Sequence, residues 1–304
     1  MRSVLITVHT ARPDAAVVAA TFARELQKAE IEVRVLDSEY EAIAAQGIED
    51  LVVVNAGAGA AAGCDLAVVF GGDGTILRAA EMCRGTGAAV LGVNLGHVGF
   101  LAEADVEDLH EIAERVIAVD FEVEERLTVD VVVTVGGREV GRNWALNEAT
   151  VEKASRERMI EAVVEIDGRP VSRWGCDGIV CATPTGSTAY NFSAGGPIVW
   201  PEVAALLMVP ISAHALFARP LVVSPDSTLA IEIVGETPAG ILWCDGRRAA
   251  ELPVGARIEV RRGAEPVRLA RLHTAPFADR LVRKFELPVA GWRGAAERRR
   301  EAMS

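Results

Sequence analysis

This chain lacks long apolar runs, paired cysteines, clustered histidines and a basic surplus, and each absence removes a class of function. The best candidate for a membrane span, residues 51–70, is broken by Asn55, Asp65 and several glycines. No run therefore reaches the roughly 18 apolar residues that a spanning helix needs. The opening MRSVLITVHT has no signal-peptide layout and is expected to begin the fold. The five cysteines (Cys64, Cys83, Cys176, Cys181, Cys244) are odd in number, scattered and without a CxxC pair. That pattern excludes a disulfide framework and points to a reducing compartment, the cytoplasm. The five histidines stand far apart, with no zinc-ligand spacing. Basic residues are outnumbered, 31 Lys and Arg against 43 Asp and Glu, for a formal net charge of −12. Nonspecific nucleic-acid binding needs clustered Lys and Arg, so neither nucleic acid nor membrane is expected as a partner. The one dense basic run, Arg298-Arg299-Arg300, reads as a solvated tail.

What is present is an ordinary globular composition, 50% hydrophobic and 24% charged over 304 residues, enough for two domains with cores. In the first part, strands at 4–8, 33–36, 66–70 and 88–93 alternate with helices at 15–29 (apolar at Val17, Val18, Phe22 and Leu26) and 106–119 (Leu109, Ile112, Ala113 and Val116). This alternation predicts an α/β domain with a doubly wound, mostly parallel sheet. From about residue 120 the period changes. Short β-branched runs at 127–135, 162–166, 178–182, 221–223, 229–233, 241–244, 257–261 and 267–270 are punctuated by Gly136-Gly137, Asp167-Gly168 and Asp245-Gly246. They predict an all-β second domain. After Pro276, the apolar residues Phe277, Leu281, Val282 and Phe285 have helical spacing. The expected division is 1–120 for the α/β domain, 121–275 for the β-rich domain and 276–304 for a C-terminal segment with a loose tail.

The most informative local feature is GGDGT: Gly71, Gly72, Asp73, Gly74 and Thr75. It follows the apolar run at 66–70 and precedes a helical pattern (Ile76, Leu77, Ala79, Ala80, Met82). Glycines let backbone N–H groups approach anionic oxygens, and a helix N-terminus favours phosphate. Asp73 is the odd member, since a pure phosphate cradle does not want a carboxylate; it is a candidate metal-binding group or proton acceptor. The alternative is a glycine-rich turn of structural use only. Arg78, about one turn into the helix, is placed either to reach a bound phosphate or on a solvated face. In parallel α/β sheets ligands sit beyond the C-terminal strand ends. The segment from Gly92 to Leu101, following the neighbouring strand, is positioned to form the facing wall of the crevice.

Three further features lie in the second part. Thr183-Pro184-Thr185-Gly186-Ser187-Thr188-Ala189-Tyr190-Asn191-Phe192-Ser193-Ala194-Gly195-Gly196-Pro197 packs hydroxyls, small residues and one tyrosine after a strand. Hydroxyls and amides can bond ribose and base edges, and a tyrosine offers a flat face to a ring; a Ser/Thr-capped turn is the equal alternative. Asn147-Glu148 and Asp177-Gly178 are each weak alone and read first as turns.

Taken together, GGDGT at 71–75, Asn147-Glu148, Asp177-Gly178, TPTGSTAYNFSAGGPIVWP at 183–201 and PISAHALFARP at 210–220 resemble the NAD kinase family. Order and spacing agree over nearly the whole chain, the first sixty residues being least distinctive. GGDGT is shared with diacylglycerol kinases and, more loosely, 6-phosphofructokinases; the 183–197 motif is the one specific to NAD kinases. The resemblance implies an N-terminal α/β domain, a β-rich C-terminal domain and a final segment that returns to the first. It implies transfer of a phosphoryl group from ATP or polyphosphate, with Mg²⁺ held mainly by phosphates, to the 2′-hydroxyl of the adenosine ribose of NAD. By resemblance Asp73 is the catalytic base. NAD binding falls to Asp73, Gly74, Arg78, Asn147, Glu148, Arg158, Asp177, Thr188, Ala189, Tyr190, Asn191, Phe192 and Ser193, of which Arg158 lies in a stretch that varies within the family. Gly71, Gly72, Gly74 and Thr75 form the phosphate loop, and a homo-oligomer, dimer or tetramer, is implied. Two rival readings remain at this point: a lipid kinase of the diacylglycerol type, and a dinucleotide sensor without turnover.

Overall fold

The computed structural model describes residues 2–9, 11–96, 99–102, 104–105, 108–156, 158–235, 240–272 and 276–289. The chain divides into two compact units, Met1–Glu124 with Arg268–Ser304, and Glu125–Val267. The basic run at 298–300 and the tail lie outside the described residues.

In the first unit, β1 (Ser3–Val8), α1 (Pro13–Lys28), β2 (Glu32–Leu36), α2 (Tyr40–Ala44), β3 (Val52–Val54), β4 (Leu66–Phe70), α3 (Asp73–Cys83), β5 (Ala89–Asn94), β6 (Ala104–Asp105), α4 (Leu109–Ala118) and β7 (Glu122–Arg126) follow in order. β1, β4 and β5 are buried along their whole length. This is why they read as continuous apolar runs and not as alternating strands. The sheet runs β3-β2-β1-β4-β5, continues through the strand Val267–Arg271 and ends at β7, with β6 paired to β5. Its pairings β1–β2, β1–β4, β2–β3 and β4–β5 are parallel, as the sequence predicts. Strand order reverses between β1 and β4, and GGDGT begins where β4 ends, at the crevice such a reversal opens. Helix α1 buries Ala19, Phe22, Ala23 and Leu26; Val17, expected on that face, is exposed. The expected helix at 106–119 is α4, Leu109–Ala118, with residues 106 and 107 outside the description. Four short elements escape the sequence pattern: α2 and the strands β3, β6 and β7.

The strand Val267–Arg271 and the helix Phe277–Phe285 both belong to this first unit, so the chain's last part returns to it. The rings of Phe277 and Phe285 lie 6.1 and 5.7 Å from the ring of Phe100. Arg280 donates to the Phe100 carbonyl at 3.3 Å.

The second unit is all-β. It holds β8 (Val129–Val135), β9 (Arg138–Ala145), β10 (Glu148–Lys153), β11 (Ile160–Ile166), β12 (Arg169–Cys176) and β13 (Gly178–Ala182), then the 3-10 turn Thr185–Thr188 and the one-turn helix α5 (Tyr190–Ser193). There follow β14 (Leu206–Ile211), β15 (Leu221–Val223), β16 (Leu229–Ile233), β17 (Gly240–Cys244), β18 (Arg248–Leu252) and β19 (Ala256–Arg262). They form two six-stranded sheets, β15-β14-β13-β10-β17-β18 and β12-β11-β16-β19-β8-β9. Alternate residues of both sheets, among them Val131, Val164, Trp174, Cys181, Met208, Ile231 and Ile258, share one buried core, the arrangement of a sandwich. Gly136-Gly137 and Asp167-Gly168 make two-residue hairpins with positive φ at both positions (56° and 79°, 52° and 73°). Among the described residues no helix is long and apolar enough to cross a membrane.

Candidate active site

Asp73 is the first residue of α3, and Gly72, in extended backbone, is its N-cap. The intrahelical bonding begins with Thr75 and Ile76, whose amides both donate to the Gly72 carbonyl. The amides of Asp73 and Gly74 precede it, at the positive end of the helix dipole. Gly71 continues the sheet, its amide donating to the Val93 carbonyl at 3.1 Å. A Cβ there would stand 2.7 Å from the Thr75 hydroxyl and 3.3 Å from His9 Cβ, so only glycine fits. Among the described residues outside their own chain neighbours and helix backbone, no atom lies within 4 Å of the place a Cβ would take at Gly72 or Gly74. Gly71 thus serves close packing, whereas Gly72 and Gly74 leave open the space a phosphate loop needs.

The Asp73 carboxylate is held from the other side. Its Oδ2 accepts the Phe100 amide and its Oδ1 the Leu101 amide, each at 3.1 Å. The segment from Gly92 to Leu101 therefore meets Asp73, as its place after the neighbouring strand suggests; His97 and Val98 of it lie outside the described residues. Each carboxylate oxygen retains a further lone pair for a ligand proton or a cation. Among the described residues no group of three His, Cys, Asp or Glu side chains is set to hold a metal. A lone half-buried carboxylate beside open glycines fits Mg²⁺ only if phosphates supply most of its ligands.

Arg78 lies on α3 but is committed within the protein. Its Nη2 donates to the Val8 carbonyl at 3.0 Å and pairs with Glu39, whose side chain is fully buried. Glu39 in turn accepts the Val8 amide at 2.8 Å. Burial raises the Glu39 pKa, with Arg78 and that amide opposing. Nothing in the local sequence around Glu39 signals this partnership, because the two residues are brought together by the sheet.

The remaining expected residues lie in the second unit. Asn147 and Glu148 stand where β9 passes to β10 and are 8% and 6% exposed. Glu148 is buried, and its Oε2 has no hydrogen-bond partner among the described residues. Burial, then the neighbouring Asp245 charge, pushes its pKa up to about 8. Asp177, between β12 and β13, pairs with Lys153 at 2.5 Å, a partner the sequence reading missed. Tyr190 and Phe192 are exposed, Ser193 also, while Thr188 and Ala189 are half-buried. Burial raises the Tyr190 pKa, and Glu152, Glu148 and Asp177 add to it. Asn191 differs from its neighbours. It is fully buried, and its amide nitrogen donates to the carbonyls of Ser187 and Pro197 at 3.2 and 3.1 Å. Its side chain shapes the loop from inside. Arg158 sits on the exposed connection between β10 and β11.

Two residues missed as site members complete this cluster. Asp245, read only as a turn signal, sends its carboxylate back to Leu146 and Asn147. Thr183 donates its hydroxyl to the Leu146 carbonyl at 2.6 Å and its amide to the Asn147 carbonyl at 2.9 Å.

Two family models match the chain, one within the first unit and one mostly within the second. Residues 4–121 match the ATP-NAD kinase N-terminal domain, and residues 146–272 the ATP-NAD kinase C-terminal domain. An NAD kinase of Thermobifida fusca is 60% identical over 98% of this chain and 93% of its own length. NAD kinase 2 of Streptomyces avermitilis is 61% identical over 97% of each. Among solved structures, yeast NADH kinase complexed with NADH superposes with a TM-score of 0.83 at 27% identity, over 96% of this chain and 88% of that one. An Archaeoglobus fulgidus NAD kinase in complex with ATP does so with a TM-score of 0.70 at 25% identity, over 94% and 99%. With both domains matched and such identity sustained along the chain, a carboxylate at the mouth of a glycine loop and a buried Asn-Glu pair are the marks of one lineage: the chain belongs to the NAD kinase family.

Proposed function

We propose that this chain is an NAD kinase that transfers the γ-phosphoryl group of ATP to the 2′-hydroxyl of the adenosine ribose of NAD, giving NADP and ADP, with Asp73 as the base. The observation that carries the assignment of the base is its setting: a carboxylate fixed by the Phe100 and Leu101 amides at the first position of α3, beside glycines with open space. A ribose hydroxyl is a weak acid and a poor nucleophile at neutral pH. Asp73 orients it and takes its proton as the new O–P bond forms; the bond from the γ-phosphorus to the bridging oxygen breaks, and ADP leaves with that electron pair. The start of α3 places amide dipoles where phosphate charge accumulates. Mg²⁺, carried mainly by the phosphates, neutralises part of that charge when bound. Asn147, Glu148, Asp177, Tyr190 and the run 188–193 bind the dinucleotide, Asn191 by holding the loop and not by contact. Arg78 and Arg158 are the weakest members: one is engaged with Glu39, and the other is exposed on a connection.

All five cysteines are free and buried, which fits a reducing cytoplasm. A homo-oligomer, dimer or tetramer, is the expected state, to be measured by light scattering. The deciding assay incubates the purified chain with NAD, ATP and Mg²⁺ and reads NADP with an NADP-specific dehydrogenase. Parallel reactions with polyphosphate and with NADH define donor and acceptor. No NADP from any donor would remove the kinase reading and leave a dinucleotide sensor.

A further inference from the structure

The link between β9 and β10 is unusual in that another loop, not solvent, satisfies it. Only Leu146 and Asn147 connect the two strands, and both are buried. The amide of Leu146 donates to Asp245 Oδ2 at 3.0 Å and the amide of Asn147 to Asp245 Oδ1 at 2.7 Å. The Asp245 amide donates to the Glu148 carbonyl at 2.9 Å. On the other side Thr183 takes both carbonyls of the link, its hydroxyl bonding Leu146 and its amide bonding Asn147. The fit is so close that a Cβ at Gly186 would fall 2.7 Å from Asn147 Cα. All four backbone groups of the link are thereby held by residues 183 and 245, and none depends on water.

The Asp245 side chain is 2% exposed and pairs with Arg248 at 2.8 Å. Arg248 also donates to the Trp144 carbonyl at 2.8 Å and lies 4.5 Å over the Trp144 ring. Asp245 adopts φ 54°, a left-handed conformation that Asp tolerates better than most residues. A buried carboxylate is costly to desolvate and is retained where each lone pair is used. The two side chains that this clamp presents are Asn147 and Glu148.

We propose that Asp245 is a positioning residue for dinucleotide binding: with Thr183 opposite, its carboxylate sets the backbone from which Asn147 and Glu148 face the substrate. This rests on the NAD kinase reading above. Asp245 contacts no substrate itself; it acts through the link.

The test uses the full chain with Asp245→Asn and, independently, Thr183→Val, which keeps the side chain's shape and removes its hydroxyl. Asn at 245 offers one acceptor where two amides and Arg248 need two. Steady-state kinetics with NAD and ATP are paired with calorimetric titration of NAD alone. Each variant is expected to raise KM and Kd for NAD about tenfold or more while KM for ATP changes less than about twofold. Unchanged NAD affinity in a folded Asp245→Asn, or an equal loss toward NAD and ATP that tracks the folded fraction, would overturn the proposal. If Asp245→Asn does not fold, Thr183→Val decides by the same readings. Calorimetry separates the two levels: an unvaried chain that binds NAD but forms no NADP ends the kinase reading and leaves the positioning claim measurable.

Discussion

Gly99 makes room for Asp73. An ideal Cβ on Gly99 would stand 2.9 Å from the Asp73 Cγ and closer still to Oδ1. The φ of Gly99 is not in the left-handed region, so the reason for glycine here is space alone. Gly99→Ala must therefore push the carboxylate or the Phe100 and Leu101 amides that hold it. We expect kcat to fall about ten- to a hundredfold, as small displacements of a reacting group do, with KM for NAD and ATP little changed. Normal kcat in a folded variant would show that the carboxylate tolerates the shift.

Asp73→Asn keeps the size of the side chain and its ability to accept one amide, and removes the carboxylate proposed as the base. Activity is expected to drop on the order of 10²-fold or more while NAD affinity is largely kept. Turnover near the normal rate would remove Asp73 from the proton-transfer step.

The helix Phe277–Phe285 reaches the same carboxylate indirectly. Its two phenylalanine rings pack on the Phe100 ring, and the Phe100 amide holds Asp73. Each aromatic pair is worth about 0.5–1.5 kcal/mol beyond its area. Joint replacement of Phe277 and Phe285 by Ala should lower kcat several-fold, with a smaller change in NAD affinity measured by calorimetry. An effect on affinity alone would place the helix in binding instead.

Glu148 makes stability fall as pH rises. Its carboxyl has a pKa of about 8 in the fold against an ordinary 4.5, raised by burial and by the Asp245 charge. The folded protein therefore keeps a proton that the unfolded chain releases above pH 4.5. That contribution is complete below about pH 4.5 and is lost as pH climbs toward 8. Melting temperatures from pH 5 to 9 should decline more steeply in the unmodified chain than in Glu148→Gln. Parallel curves would mean that Glu148 ionises like an exposed carboxylate.

Arg78→Met leaves Glu39 buried without its cation. Arg78 is partly exposed, so the cost at pH 8 is expected near 2–3 kcal/mol in urea unfolding, below that of a fully buried pair. Burial already raises the Glu39 pKa, and without Arg78 opposing it the rise is larger, so the cost is expected to be smaller at pH 5 than at pH 8. An equal penalty at both pH values would mean that packing of the arginine stem, and not the charge, is what matters.

The buried strands β1, β4 and β5 and the tight hairpins were legible because their signals are local; β10 and β14, also largely buried, were not, since Glu148–Lys153 carries charge at both ends and Leu206–Ile211 contains Pro210. Residues 66–70 are apolar throughout, and Gly136-Gly137 supplies the positive φ that a two-residue turn needs. β9, β12 and β18 were not legible. They read REVGRNWA, RPVSRWGC and RAAEL and lie at sheet edges, where one neighbour and much solvent demand little apolar character. α2, five residues long, is too short to show a helical period.

The amino-acid order by itself determined the strand–helix alternation, the change to β structure near residue 120 and the GGDGT loop, since each depends on neighbours within one turn or one strand. Tertiary structure alone decided what the carboxylates do. Asp73 meets amides 27 and 28 positions away, Glu39 meets an arginine 39 away, and Asp245 meets amides 98 and 99 away. A carboxylate's role is set by which donors surround it and how little water reaches it, and neither is a property of nearby sequence.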